Sequence, residues 1–409
     1  MLTARLLATS FAEVRVIANQ ARRTTSSLHG LVVHYRLPQL NNVVRKADLF
    51  MNTRAHPRAL VVGVTGIVGQ VVASQLVEAG WDVHGLARRA RQPVDGVTFI
   101  QADLLDAEAT ATALAGLKPE IVLITAWIRK DTEEENIAAN TATLRNLFAA
   151  LEPDGGVRHV ALQTGLKHYL GPFEDYASGI KAETPFHEDE PRLPKPNFYY
   201  SQEDVLFEAA ERLGFTWSVH RSHTVFGFAV DNAMNMVLTL SVYATICKEL
   251  GRPFVFPGSV SQWNFLTDAT DSDLLGEQLI WASTHPEGEN EPFNIANGDQ
   301  FRWRWLWPQV AEHFGLEWEG PTEVPQTLES SMTELAPAVW ARIAEREGLV
   351  EPDVTKLASW WHSDSDLGRE IECVTDMVKS REAGFLNFRS TTKSFFDKVA
   401  RYREARLLP

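Results

Sequence analysis

The chain has 409 residues, 44% of them hydrophobic, a net charge of −14 and two cysteines, Cys247 and Cys373. This is enough apolar material for one large core or a core with a lobe, too few cysteines for a disulfide framework, and it contains no apolar run long enough to span a membrane. Residues 1–58 carry nine Lys/Arg and two acids, against 30 basic and 51 acidic residues in the remainder, and so acidic a body argues against nucleic acid as a partner.

The first fifty residues combine Arg5, Arg15, Arg22, Arg23 and Arg36 with Thr24-Thr25-Ser26-Ser27 and almost no acids. That is the composition of an organellar transit peptide; the competing reading is an over-long gene model with its true start at Met51. Residues 1–57 are therefore expected to be an extension without chemistry. The two cysteines lack metal-ligand spacing, so no metal site is expected and a reduced setting fits. The location would be cytoplasmic, or mitochondrial if residues 1–50 are a transit peptide.

From Ala59 onward, short β-rich runs alternate with helical stretches. Ala59–Gly63 reads as a buried strand, Ile67–Ala79 as a helix, and Asp82–Ala87 and Val97–Ile100 as the next two strands. Ile121–Ile124 and His159–Leu162 continue the series, which predicts an α/β fold with a doubly wound parallel sheet of the Rossmann type. Between the first strand and its helix lies Gly63-Val64-Thr65-Gly66-Ile67-Val68-Gly69. Glycines in that context let backbone amides approach a pyrophosphate, while the helix N-terminus adds positive potential. The second strand ends in Ala87-Arg88-Arg89 rather than the acid that would bind the ribose hydroxyls of NAD. A guanidinium fork there suits the 2′-phosphate of NADPH; otherwise the stretch is a solvated basic turn. Asp103, after the third strand, is either a cap for the adenine edge or a helix N-cap.

The dehydrogenase pattern with Lys four residues after Tyr is absent, because none of the seven tyrosines has a lysine at that offset. Instead Thr164-Gly165-Leu166-Lys167 follows the strand His159–Leu162, and Asn197-Phe198-Tyr199-Tyr200 precedes a helix expected over Ser201–Leu213. Ligands in open α/β sheets bind beyond the carboxyl ends of the strands, so Lys167 and one tyrosine are placed to share a crevice. A phenol there can donate to a developing oxyanion.

Past residue 229 the rhythm changes to longer helices, one expected over Asn232–Leu250, with Trp303, Trp305, Trp307, Trp318, Trp340, Trp360 and Trp361 in the last third. Large aromatic side chains read first as core, and next as an apolar lid over a hydrophobic substrate involving Phe173, Met234, Met236, Phe385 and Phe388. The domain boundaries expected are a Rossmann domain over 58–228 and a mostly helical substrate lobe over 229–409, interleaved with the last Rossmann segments.

The segments Gly63–Gly69, Ala87–Arg89, Gln163–Glu174, Asn197–Asp204, Trp217–Arg221, Thr224–Phe228, Val242–Cys247, Phe293–Asp299 and Gly384–Arg389 resemble the progesterone 5β-reductase/iridoid synthase-like (PRISE) enzymes, an atypical branch of the extended short-chain dehydrogenases. The resemblance spans about residues 58–409. It implies reduction of an activated C=C bond in a small hydrophobic enone or enal, with NADPH as hydride donor. On the matching positions, Tyr199 would stabilise the enolate, Lys167 would orient that phenol or the cofactor and add a positive field, and Arg88 and Arg89 would hold the 2′-phosphate. Gly63, Thr65, Gly66, Ile67, Val68, Gly69, Asp103, Thr125, Ala126, Trp127, Thr164 and Gly165 would complete the cofactor site. Phe173, Met234, Phe385 and Phe388 would contact substrate, and Tyr200 is read as structural. Two stretches depart from the family: Ser222-His223 stands where many relatives have Pro-Gly, and Ile128-Arg129-Lys130 follows Trp127. Both bear on substrate choice. A carbonyl reductase or nucleotide-sugar epimerase of the same superfamily is the second reading, and the missing Tyr-x-x-x-Lys pair speaks against it. A non-catalytic NADP(H) sensor is the third, and it predicts loss of the Tyr/Lys pair. A homodimer is left open.

Overall fold

Arg58–Val62 forms β1, the first strand in a computed structural model that describes residues 56–89, 94–171, 183–324 and 326–409. It is followed by α1 (Gly69–Glu78), β2 (Asp82–Ala87), β3 (Val97–Gln101), α2 (Ala107–Leu114), β4 (Ile121–Ile124), α3 (Glu133–Leu151) and β5 (His159–Gly165). Then come the one-turn α4 (Lys167–Leu170), α5 (Phe198–Leu213), β6 (Thr216–Ser222), β7 (Val225–Phe226), α6 (Met236–Leu250), β8 (Phe254–Val255), α7 (Val260–Asn264) and β9 (Thr270–Asp271). The rest comprises α8 (Ser272–Thr284), β10 (Glu291–Ile295), α9 (Trp303–Phe314), β11 (Trp318–Glu319), α10 (Leu328–Met332), α11 (Ala336–Glu347), α12 (Trp360–Leu367), α13 (Val378–Glu382) and α14 (Thr391–Glu404). The expected extension, up to residue 55, and Phe173 lie outside the described residues.

Seven strands form one sheet in the order β10-β6-β5-β4-β1-β2-β3, every neighbouring pair parallel. The central strands β1 and β4 are covered on both faces, which is why they read as continuous apolar runs, whereas the edge strand β3 exposes Thr98, Phe99 and Gln101. Alternation then sorts the side chains. Leu60 and Val62 of β1 join Leu144, Leu147, Val205 and Leu206 of α3 and α5 on one face. Ala59 and Val61 meet Val72 and Leu76 of α1 and Leu274, Leu275 and Leu279 of α8 on the other. The chain order reverses between β1 and β4, and a crevice opens at the carboxyl ends of the strands there. The sheet draws β10 and the covering helix α8 from beyond residue 229, so the C-terminal part of the chain supplies Rossmann elements as well as the lobe.

Two helix starts differ from the sequence pattern for the same reason. Asn197 accepts from the Tyr199 amide at 2.9 Å and starts α5 at Phe198, three residues ahead of the expected Ser201. Asn235 caps Val237 and Leu238, so α6 begins at Met236 rather than Asn232. An asparagine cap decides the first turn, and apolar spacing does not report it.

The lobe has a core of its own, built from α6, α9, α11, α12 and α14. Trp307, fully buried, stacks on Phe254 at 3.9 Å between ring centroids, and its Nε1 donates to the Phe254 carbonyl at 2.9 Å. Phe256 meets the same indole edge-on at 5.1 Å. Trp303, Trp340 and Trp360 are likewise buried, whereas Trp305 and Trp318 are exposed, so most of the tryptophan-rich stretch is core. No helix among the described residues is long and apolar enough to cross a membrane.

Trp307→Ala removes this stack and the hydrogen bond, and is expected to lower the unfolding free energy by about 3–5 kcal/mol in denaturant titrations. A loss under about 1 kcal/mol would mean that the lobe does not depend on this ring.

Candidate active site

A cleft of about 530 Å³ runs along the carboxyl ends of β1, β2, β4, β5 and β6. At one end Gly63 turns the chain with φ +90, and a Cβ there would lie 2.7 Å from that of Ala126. Only glycine fits this turn. A Cβ on Gly69 would overlap the Gly63 carbonyl, so Gly69 lets the helix pack on the loop and does not itself line the cleft. Thr65, Gly66, Ile67 and Val68 do line it. Helix α1 starts without a side-chain cap and without an acid in its first turn, which leaves an uncapped helix N-terminus beside the cleft. Amides of that kind, with the helix dipole behind them, suit a pyrophosphate.

Arg88 is exposed and lines the cleft; Arg89 is exposed and stands outside the lining. Asp103 lines the cleft and accepts from the Leu105 amide at 3.1 Å, while the cap of α2 is Asp106. Thr125, Ala126 and Trp127 border the middle. Their loop is pinned by Asn140, which accepts from the Ile128 amide at 2.8 Å and donates to its carbonyl at 2.7 Å.

Thr164, Gly165, Lys167 and Tyr199 meet toward the lobe side. Lys167, 3% exposed, is paired with Glu133 at 3.5 Å and lies 4.9 Å from the Phe198 ring centre. The other oxygen of Glu133 accepts from the Phe198 amide at 2.7 Å. Asn197 donates to the Lys167 carbonyl at 2.7 Å while capping Tyr199, so one side chain fastens the lysine's turn to the tyrosine's helix. The Tyr199 phenol lies over Gly165, where a Cβ would come within 3.3 Å of its oxygen. Burial, reinforced by the Glu133 carboxylate, raises the Tyr199 pKa, so the phenol stays protonated as a donor. Tyr200 is bound into structure: it donates to the His168 carbonyl at 2.6 Å and accepts from the Leu193 amide at 3.0 Å.

A family model for the PRISE-like Rossmann-fold domain matches residues 105–409. The chain belongs to this family. Among similar curated proteins, the 3-oxo-Δ(4,5)-steroid 5β-reductase of Arabidopsis thaliana is 41% identical over 365 residues, 86% of this chain and 93% of that one. The (S)-8-oxocitronellyl enol synthase of Catharanthus roseus is 39% identical over 367 residues, with 86% and 92% covered. Similar solved structures include a UDP-glucose 4-epimerase from Thermotoga maritima (TM-score 0.60, 17% identity, 85% and 99% covered) and one from Thermus thermophilus in complex with NAD (0.59, 19%, 85% and 99%). At such identities these share the extended short-chain dehydrogenase fold.

Within this PRISE-like chain, Met234 lines the cleft, but two expected substrate contacts do not. Gly384, with φ +103, ends α13 and turns Phe385 into the core against Trp281, 5.6 Å between ring centroids, while Phe388 points to solvent at 71% exposure. The site also holds residues that the motifs did not single out. Glu133 sits in Thr132-Glu133-Glu134-Glu135, which reads as helix-start charge; Glu135 does close the capping box with Thr132, but Glu133 turns inward. His223, Thr224, His362, Asp366 and Arg369 form a polar wall on the lobe side. Only the Ser222-His223 departure signalled any of it.

Glu133→Ala leaves the Lys167 ammonium without this carboxylate and the Phe198 amide without its acceptor. A stability loss of about 3 kcal/mol is expected by chemical denaturation. Unchanged stability would mean the pair does not hold the start of α5.

Proposed function

We propose that the protein is an NADPH-dependent reductase of activated C=C bonds in small hydrophobic enones or enals, with Tyr199 and Lys167 as its catalytic pair. The observation that carries this reading is the Tyr199 phenol held over Gly165 beside Lys167, at the carboxyl ends of the strands, in a chain without a Tyr-x-x-x-Lys pair. Both curated relatives named above support it, one a steroid reductase and the other an enol synthase by name.

The residues present fit a dinucleotide. The uncapped start of α1 and the Gly63 turn accept a pyrophosphate, Thr125 to Trp127 border the centre of the cleft, and Arg88 stands where an acid would favour NAD. When bound, the nicotinamide supplies the hydride for the substrate's β-carbon. As that bond forms, the C=C electrons move to the carbonyl oxygen, and the neutral Tyr199 phenol donates a hydrogen bond to the resulting enolate. Lys167, buried and paired with Glu133, lines the same cleft as the phenol. A proton from water at the α-carbon completes the saturated product. A phenol held protonated by burial suits this task, because it gains strength only as the oxyanion develops.

The test is NADPH oxidation with 2-cyclohexenone, with the saturated ketone identified as product and NADH run in parallel. NADPH binding without turnover across enones, enals and ketones would replace the reductase with the sensor. Tyr199→Phe is expected to lower kcat by about 10²–10³-fold while NADPH binding persists; an unchanged kcat would remove Tyr199 from the chemistry. Arg88→Ala is expected to narrow the NADPH-over-NADH preference in kcat/KM by about tenfold, the equivalent of one charge-assisted hydrogen bond.

A further inference from the structure

The stretch Ile128-Arg129-Lys130, where the chain departs from its family, reaches the lobe through Arg129. The Arg129 guanidinium lies 3.3 Å from the centre of the Trp361 ring on α12. Arg129 is exposed and stands outside the cleft lining, but Trp127 and Ile128 before it line one wall, and His362 after Trp361 lines the other. The contact therefore joins the two walls at the outer rim, between the middle of the cleft and its lobe side.

The backbone on each side of this contact is anchored. On the Rossmann side, Asn140 holds Ile128 by both its amide and its carbonyl, and Asn136 accepts from the Lys130 amide at 2.7 Å, so Arg129 is fastened before and after. On the lobe side, Asp364 accepts from the Leu328 and Glu329 amides, both at 2.8 Å, and Asp366 accepts from the Thr224 hydroxyl at 2.6 Å. These bonds tie α12 to the start of α10 and to the turn between β6 and β7. The half-buried Trp361 indole stands edge-on to His362, 5.5 Å between ring centroids. Rotation of the Arg129 side chain opens the rim without breaking any of these bonds, whereas movement of either wall must break several. A cation on an exposed aromatic face is a weak latch, tilting a closed-to-open population by about two- to fivefold. A ligand that fits beneath the latch leaves it shut; a ligand too bulky to do so must bind against that tilt.

We infer that Arg129 and Trp361 form a bar across the rim of the cleft, and that Arg129 is a specificity-determining residue favouring enones compact enough to lie beneath it. The inference rests on the reductase reading and narrows its substrate class by bulk, towards compact enones and enals.

The test measures kcat/KM with NADPH over a graded series: 2-cyclohexenone, its 5-isopropyl derivative, a fused bicyclic enone and a 3-oxo-Δ4-steroid. Arg129→Ala is expected to raise the ratio of the bulkier members to 2-cyclohexenone by about two- to fivefold, mainly through KM. Trp361→Ala should raise the same ratio, and the double variant should gain no more than either single one, because each change removes the same bar. Arg129→Lys, which keeps a cation for the ring, should fall between wild type and Arg129→Ala. Thermal unfolding of each variant confirms that it folds. An unchanged ratio in Arg129→Ala, gains that add in the double variant, or an equal change for every enone would each overturn the bar while leaving the reductase intact. So would failure of every form to reduce any of the bulkier enones, which would place the size limit elsewhere in the cleft. A change confined to the KM for NADPH would overturn it by giving Arg129 to the cofactor. No reduction of any enone by the wild type would overturn the reductase reading and this inference together.

Discussion

Asn197 makes two hydrogen bonds on which the Lys167–Tyr199 end of the cleft depends. Its amide nitrogen holds the Lys167 carbonyl, and its oxygen caps the helix that carries Tyr199. In many dehydrogenases a lysine and a tyrosine share a helix turn, and the turn sets their spacing. Here they come from two elements thirty-two residues apart, α4 and α5, so tertiary contacts must do what one helix turn would do. Glu133 adds a second link, with one oxygen near the Lys167 ammonium and the other on the first amide of α5. Catalytic geometry demands tolerances of a fraction of an ångström, and two short links across a buried junction supply such rigidity.

The cofactor end depends on small residues rather than charges. Gly63 brings the loop against Ala126, Gly69 seats the helix on that loop, and the uncapped start of α1 is left beside the cleft. The chemical end has its own glycine, Gly165, over which the phenol lies. Absent side chains thus shape both ends of the cleft, while polar groups from the turn between β6 and β7, from α12 and from the segment after α12 line it on the lobe side. An aromatic-rich lobe suggests an apolar lid, yet its largest rings are spent on its own core, with Phe254 stacked on Trp307 and Phe256 edge-on to it, outside the cleft lining. The cleft receives histidines and an ion pair instead.

Much of the framework was legible in the residues. Strand runs such as Ala59–Val62 and Ile121–Ile124 are apolar throughout because both faces are covered, and this pattern alone indicates a parallel sheet. The glycine loop, Arg88, Lys167 and Tyr199 were expected beside the strand ends, and they line the cleft there. The helix starts at Phe198 and Met236 were misread, because an asparagine cap competes with apolar periodicity and wins. Phe385 and Phe388 were misread as substrate contacts because an aromatic near a family motif carries no sign of the direction it faces; the Gly384 turn decides that.

The sequence by itself determined the sheet type and that the glycine loop, Lys167 and Tyr199 stand near strand ends, because each rests on local periodicity or on residues adjacent to a strand. Tertiary structure alone decided that Glu133 turns inward to Lys167, and that His362 from one end of the chain joins His223 from its middle along one wall. The physical reason is distance along the chain. A hydrogen bond such as that between His223 and Arg369, 146 residues apart, leaves no local spacing to read, and whether a charged or polar side chain faces solvent or a buried partner is settled only when the elements pack.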